Sequence, residues 1–215
     1  DARSILALTF TNKAAAEMKE RLGRNAEGMS LGTFHGLGLR IVREFHHELG
    51  LPGQISILDQ SEQNSVIRRV CNRVRTQFGQ QVDLVASELS SARNEGLDAA
   101  MLQNSDNEIQ YTLGVLMARY NEEKNILGAV DFDDLIELPL RLLKEHPHVL
   151  EQLRQRWRYT LVDEYQDTNT LQFEFLSTLN GRDGNLCVVG DDDQSIYGWR
   201  GADQRNILDF EKQFP

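Results

Sequence analysis

Two adjacent carboxylates, Asp163 and Glu164, close an apolar, β-prone run that begins at Tyr159. In an open α/β sheet, ligands bind outside the carboxyl ends of the strands. An Asp placed there can hold Mg²⁺ through a hard oxygen, and a neighbouring Glu can orient or deprotonate a water. Adjacent side chains at a strand end can diverge and so serve both tasks. Two acids alone fit a solvated turn better than a site. The string DEYQD directly after a buried strand is far more specific, and it points to chemistry.

A second apolar run, Leu186 to Gly190, ends in Asp191, Asp192 and Asp193, with Gln194 and Arg200 beyond. An amide can contact a terminal phosphate or an attacking water, and a guanidinium can neutralise charge developing on a γ-phosphoryl group. Singly, Gln194 reads as a helix cap and Arg200 as a partner for the acids. Together, after a strand carrying Asp191, they read as phosphate-sensing groups. Tyr197 and Trp199 flank Gly198 and fall on one side of an extended segment. They read equally as core aromatics under a loop or as a platform for bases, worth about 1–3 kcal/mol per stacked base.

Thr9, Phe10, Thr11 and Asn12 follow a strand and open a helix. Their hydroxyls and amide, with the helix N-terminal N–H groups, can hold a phosphate, and Phe10 can stack on a base. An ordinary N-cap is the simpler alternative. Thr33 and His35 occupy the same position after the next strand, where a lone His is usually structural. Arg68, Arg69, Arg73 and Arg75 make one helix locally basic, which fits a solvated face better than duplex contact. Asp131, Asp133 and Asp134 read as an acidic helix start favoured by the helix dipole.

The elements that must position these groups follow from periodicity. Residues 5–10 and 29–34 read as strands, and 12–22 and 36–49 as helices, with Leu37, Ile41, Val42 and Phe45 inward. Thr11 or Asn12 is the expected cap of the first helix and Gly23 its end; Gly50 and Pro52 stop the second. Four stretches with a 3.6-residue period follow at 59–78, 81–94, 106–127 and 132–145, separated at 96–106 by a loop or weak turn. A short helix over 148–157 leads into the Asp163 strand, and a helix over 169–179 leads to the next. The outline is an α/β layer interrupted by helices, with the insertion at 53–128 and the flanks at 1–52 and 129–215.

The composition is that of an ordinary soluble globular protein: 215 residues, 40% hydrophobic and 26% charged. The net charge of −10 argues against gripping nucleic acid by bulk electrostatics, but leaves room for a narrow track of aromatics and local donors. No apolar run reaches the roughly 18 residues of a membrane span. The start at Asp1, without Met or a signal peptide, predicts a segment of a longer protein or a processed chain. Cys71 and Cys187 stand in apolar runs, form no metal-type cluster, and fit a reducing cytoplasm.

Five strings, taken together, resemble the UvrD/Rep/PcrA family of superfamily-one DNA helicases. They are LALTFTNKAAAEMKERL (6–22), GTFHGLGLRI (32–41), DFDDLI (131–136), LVDEYQDTN (161–169) and VVGDDDQSIYGWRGAD (188–203). They span nearly the whole chain, and the last two are the most specific. The resemblance implies a RecA-like parallel sheet with helices on both faces (domain 1A) and an inserted all-helical domain (1B). It implies ATP and Mg²⁺ as nucleotide and cofactor, with Asp163 on the metal, Glu164 activating water, and Gln194 and Arg200 sensing the γ-phosphate. It places Phe10, Tyr197 and Trp199 against single-strand bases, and Thr9, Thr11, Asn12, Thr33 and His35 along the DNA strand. The implied activity is 3′ to 5′ translocation and unwinding in repair or replication, on single strands and junctions.

The phosphate-binding loop G-x-x-x-x-G-K-[ST] does not occur in the sequence. In the family it precedes Leu6, and a second RecA-like domain follows beyond residue 215. Residues 1–215 alone are therefore expected to be inactive in ATP hydrolysis, with an incomplete site and an open strand slot that favours self-association. Two readings of other classes compete: a non-catalytic DNA- or partner-binding module, and a Mg²⁺-dependent nuclease using Asp163, Glu164 and Asp191–Asp193.

Overall fold

The computed structural model describes residues 1–76, 78, 81–195, 202, 205–208 and 210–214. In chain order the elements are β1 (Ile5–Thr9), α1 (Asn12–Leu22), β2 (Ser30–Thr33), α2 (Phe34–Glu44), β3 (Ser56–Ile57) and α3 (Gln60–Val74). Then come α4 (Val82–Asn94), α5 (Ala99–Gln103), α6 (Glu108–Leu127), β4 (Ala129–Val130), α7 (Asp134–Glu145) and α8 (Pro147–Arg156). The chain continues through β5 (Tyr159–Val162), α9 (Thr170–Asn180), β6 (Asn185–Val188), α10 (Arg205–Leu208) and α11 (Phe210–Gln213). Two compact units result: Asp1–Glu44 with Ile136–Pro215, and Phe45–Leu135.

The first unit is built on a four-stranded parallel sheet in the order β2-β1-β5-β6. Parallel strands need long crossovers, and strands covered on both faces read as continuous apolar runs. Central β1 obeys this, since Leu6, Ala7 and Leu8 are all buried. Leu37, Ile41 and Val42 of α2, Leu142 and Leu143 of α7, Leu153 of α8, and Phe175 and Leu176 of α9 complete the core of this unit. In β5, by contrast, Thr160 and Val162 are buried while Tyr159 and Leu161 are 48% and 42% exposed. Cys187, the register partner of Leu161 on β6, is exposed too, and Val189 beyond it is 60% exposed. Its apolar neighbours in sequence therefore do not bury Cys187, because the face of β5 and β6 that carries Leu161 and Cys187 is left uncovered by the described residues.

Local chemistry sets the helix ends of this unit. Thr11 caps α1 by accepting from the Ala14 N–H at 3.1 Å, and Gly23 ends that helix with φ +53°. Asn169 and Gln172 form a reciprocal capping box on α9. Arg154 closes the other end of α9, donating to the carbonyls of Thr178 and Leu179 at 2.9 and 2.8 Å.

The second unit packs α3, α4, α5 and α6 around Val66, Ile67, Val70, Cys71, Leu89, Leu116 and Tyr120. Asp59 and Glu62 form a capping box on α3, and Asn107 caps α6. The segment 96–106, expected to be a loop, contains the helix α5, capped by Asp98. Its five residues are too short to register as a period and are held by tertiary contact. A Cβ at Gly114 of α6 would lie 2.8 Å from Leu102 Cβ and from Gln103 N, so the two backbones approach where only Gly fits. The strands β3 and β4 pair in parallel through two residues each, a pairing that periodicity does not foresee.

Lys124 and Arg93 meet Asp131 and Asp134 in the interior of this unit. Lys124 Nζ donates to Asp131 Oδ2 at 2.8 Å and to both Asp134 oxygens at 2.7 Å. Arg93 Nη1 donates to both Asp131 oxygens at 3.0 and 2.8 Å, and Nη2 donates to Asp134. All four residues are buried. The two aspartates also cap each other's backbone N–H groups at 2.8 and 2.9 Å. Burial opposes ionisation of Asp131, but Arg93 and Lys124 outweigh it and hold this carboxyl below the usual range. The acidic helix start is thus the anionic half of a buried ion cluster.

Candidate functional site

The parallel register brings the carboxyl ends of all four strands to one edge of the sheet. Thr9 on β1 lies opposite Thr33 on β2, and the Asp163 N–H donates to the Leu8 carbonyl at 2.9 Å. The polar residues after β1, β2 and β5 are therefore neighbours in space although far apart in sequence.

Asp163 and Glu164 are both half-buried. Glu164 has φ +55° and ψ 42°, one of two described residues other than Gly with positive φ. The left-handed conformation costs a side chain with a Cβ about 1–2 kcal/mol, and such strain clusters at functional sites. It turns the backbone sharply between the two acids, from the end of β5 into a 3-10 turn over Tyr165–Asp167.

That turn is anchored from beneath. Tyr165 is fully buried, its N–H donates to the Val189 carbonyl at 2.9 Å, and its ring meets Phe210 edge-on at 5.5 Å. Gln166 is 1% exposed. Its Nε2 donates to Glu164 Oε2 at 2.7 Å, and its Oε1 accepts from the Asp191 N–H at 3.0 Å. Asp167 is buried as well, and its carboxyl is raised by burial and by the charge of Glu164.

After β6 the chain makes a second 3-10 turn over Asp192–Gln194, started by Asp191. Asp191 Oδ1 accepts from the Asp193 N–H at 3.1 Å, and Oδ2 accepts from Gln194 Nε2 at 2.6 Å. The exposed Gln194 amide is thereby held by the residue that Gln166 ties to Glu164. Tyr197, Trp199 and Arg200 lie outside the described residues.

The segments after β1 and β2 have a graded burial. Thr9 is fully buried, and its hydroxyl has no hydrogen-bond partner among the described residues. Phe10 is half-buried, while Thr11 and Asn12 are exposed at the start of α1. The hydroxyl of buried Thr33 accepts from the Gly36 N–H at 3.1 Å across the first turn of α2. Burial lowers the His35 imidazole to about 4, so it is neutral near pH 7.

Strand order, parallel register and the acids at the strand ends define a RecA-like α/β domain. Residues 1–215 match the UvrD/REP helicase N-terminal domain, and the chain belongs to that family. It is 41% identical to the ATP-dependent DNA helicase PcrA of Leuconostoc citreum over 98% of its own length and 29% of that protein's. It is 40% identical to DNA helicase II of Escherichia coli K12 over 99% of its length and 30% of that protein's. The PcrA of Staphylococcus aureus Mu50 is 39% identical over the same shares, 99% and 30%. The chain thus spans about three-tenths of the length of the curated relatives it matches.

Sequence reasoning missed Gln166, treating it only as a letter of the DEYQD string. Its position two residues after Glu164 and before a buried turn was the available signal. The Arg93–Lys124 half of the ion cluster had no local signal.

Proposed function

We propose that this chain is part of the motor of an ATP-dependent DNA helicase that translocates 3′ to 5′ on single strands and unwinds junctions in repair or replication. The observation that carries the reading is the linkage of Glu164, Gln166, Asp191 and Gln194 at adjacent strand ends. On this reading, the carboxylate for water and the amide for phosphate share one continuous hydrogen-bonded frame. The names of the relatives, ATP-dependent DNA helicase PcrA and DNA helicase II, support the same reading.

Asp163 presents one hard-oxygen ligand at the end of β5. Mg²⁺ usually takes one or two carboxylates and completes its shell with water and substrate phosphates, so this donor fits it. Held there, the ion would supply neutralisation of phosphate charge. Glu164 orients the attacking water and accepts its proton as the bond from the γ-phosphorus to the leaving ADP oxygen breaks. Gln194 contacts the γ-phosphate, and Arg200 stabilises the charge developing there. Phe10, Thr11, Asn12 and His35 form the accessible part of the strand-binding edge above the buried Thr9 and Thr33, and Tyr197 and Trp199 extend it. Residues 53–128 act as the inserted domain 1B between the two parts of 1A, and a second RecA-like domain completes the ATP site.

Without the phosphate-binding loop, residues 1–215 do not turn over ATP. The edge strand β6 and the exposed side of β5 favour self-association when they are left uncovered. A reducing cytoplasm completes the reading. The test is Glu164→Gln in the full-length protein: nucleotide binding persists and DNA-stimulated turnover is largely lost. Retained turnover in that variant, or DNA-stimulated hydrolysis by residues 1–215 alone, refutes the corresponding part.

A further inference from the structure

Gln166 stands where a polar side chain has no solvent reason to be. It is 1% exposed, yet both ends of its amide are used. The Asp191 backbone N–H can only donate, so the atom facing it is Oε1. That assignment leaves Nε2 toward Glu164, where a carboxylate oxygen accepts at 2.7 Å. One amide therefore joins the turn after β5 to the turn after β6. The next link is Asp191, whose carboxylate holds the Gln194 amide.

Gly190 shows how tight the joint is. A Cβ at this position would lie 2.6 Å from Gln166 Oε1 and 2.8 Å from Ile207 Cδ1. A side chain there would force the Gln166 amide and the end of Ile207 to shift.

We propose that Gln166 is a positioning residue that fixes the Glu164 carboxylate and ties it to the Asp191–Gln194 turn, so that the water-activating and phosphate-sensing groups keep one register. This rests on the roles given above to Glu164 and Gln194. The Glu164 backbone is already committed to the left-handed region, which leaves its side-chain torsions as the main freedom to be restrained. The charge-assisted contact from Gln166 restrains them. Gly190 is the space that the restraint requires.

The experiment is steady-state ATP turnover by the full-length protein saturated with single-stranded DNA. Gln166→Met keeps the side chain's length and removes both the donor to Glu164 and the acceptor for the Asp191 N–H, without adding a charge beside Glu164. We expect kcat to fall about tenfold or more while KM for ATP moves less than about threefold, the signature of a group that acts on the transition state rather than on nucleotide binding. Melting temperature should stay close to that of the parent. Gly190→Ala should reproduce the kcat loss, and the two losses should be non-additive when Gly190→Ala is combined with Gln166→Met. Where Gln166→Met gives no cooperative melt, Gly190→Ala is read by the same criteria.

A kcat within about twofold of the parent for Gln166→Met, with Glu164→Gln inactive, overturns the positioning role and leaves the helicase reading standing. A joint fall of kcat, nucleotide affinity and melting temperature assigns Gln166 to structure alone, and also overturns it. Full turnover by Glu164→Gln overturns the reading of Glu164 itself, and the role of Gln166 with it.

Discussion

Thr9 and Thr33 face each other as register partners on adjacent parallel strands, so two turns of similar chemistry open side by side at one edge of the sheet. Thr9 is sealed and Thr33 spends its hydroxyl on the Gly36 N–H. The exposed polar atoms of this edge therefore come from Thr11 and Asn12. Thr11 is also the cap of α1. Thr11→Ala should lower stability by about 1 kcal/mol and Thr11→Ser should largely restore it, because any side-chain oxygen there can accept from the Ala14 N–H. Denaturant unfolding of the three proteins checks this.

His35 should titrate near 4 when its ring protons are followed by NMR, because burial disfavours the imidazolium. Between about pH 4 and the ordinary value of 6.5 the unfolded chain binds the extra proton. The contribution of this group to stability therefore falls as pH drops through that window. It also means that His35 carries no charge toward a phosphate at neutral pH. His35→Gln should leave the salt slope of strand binding unchanged near pH 7.5.

The ion cluster of the second unit predicts a large asymmetry. Lys124→Met removes one cation and leaves two buried carboxylates facing Arg93 alone. Breaking such a cluster costs about 3–5 kcal/mol, several times the worth of a surface pair. Arg119→Met, which loses an exposed contact with Glu122, should cost less than about 1 kcal/mol. Urea unfolding separates the two.

Asp133 behaves oppositely to its neighbour Asp131. Burial raises its carboxyl to about 6, and Arg93 at 3.7 Å only partly offsets this. Between about pH 4 and 6 the folded protein holds a proton that the unfolded chain has lost, so stability falls as pH rises. Asp133→Asn should remove that slope and raise stability at pH 7 by about 2–3 kcal/mol at most. An unchanged slope in parallel melts from pH 4 to 7 would contradict the assignment.

Gly114→Ala offers a test of the close packing of α5 on α6. Alanine is the better helix former by about 1 kcal/mol, so an isolated α6 would gain. In the folded unit its Cβ would meet the Ala99 carbonyl at 2.9 Å as well as the backbone of Gln103. The clash should prevail, with a net loss of about 1–3 kcal/mol and faster amide exchange in α5.

These residues also show where sequence reading reaches. The strand ending at Asp163, the box of Asp59 with Glu62 and the cap at Thr11 are local, and each is written in a few adjacent positions. Helix α5 is not, because its stability lies in the missing Cβ at Gly114. The pairing of Ser56–Ile57 with Ala129–Val130 has too few residues to carry a pattern. Asp131 and Asp134 look like a dipole-favoured helix start until Arg93 and Lys124 arrive from other helices. At the site, the acids and Gln194 are visible as letters, whereas the amide of Gln166 gains meaning only when β5 and β6 pair.

The pairing of β1 with β5 joins Ile5 to Tyr159 and Leu8 to Val162 across most of the chain. During synthesis β1 must wait for β5, at some 5–20 residues per second, before its central neighbour exists. The contiguous Phe45–Leu135 unit can collapse in that interval on helix-to-helix contacts, which form fast because they are close in sequence. Its early folding shortens the span that β1 and β5 must close and lowers the entropic cost of closure. The inserted unit is thus expected to form first, as a kinetic clasp for the sheet unit that it interrupts, and pulsed amide exchange during refolding checks the order.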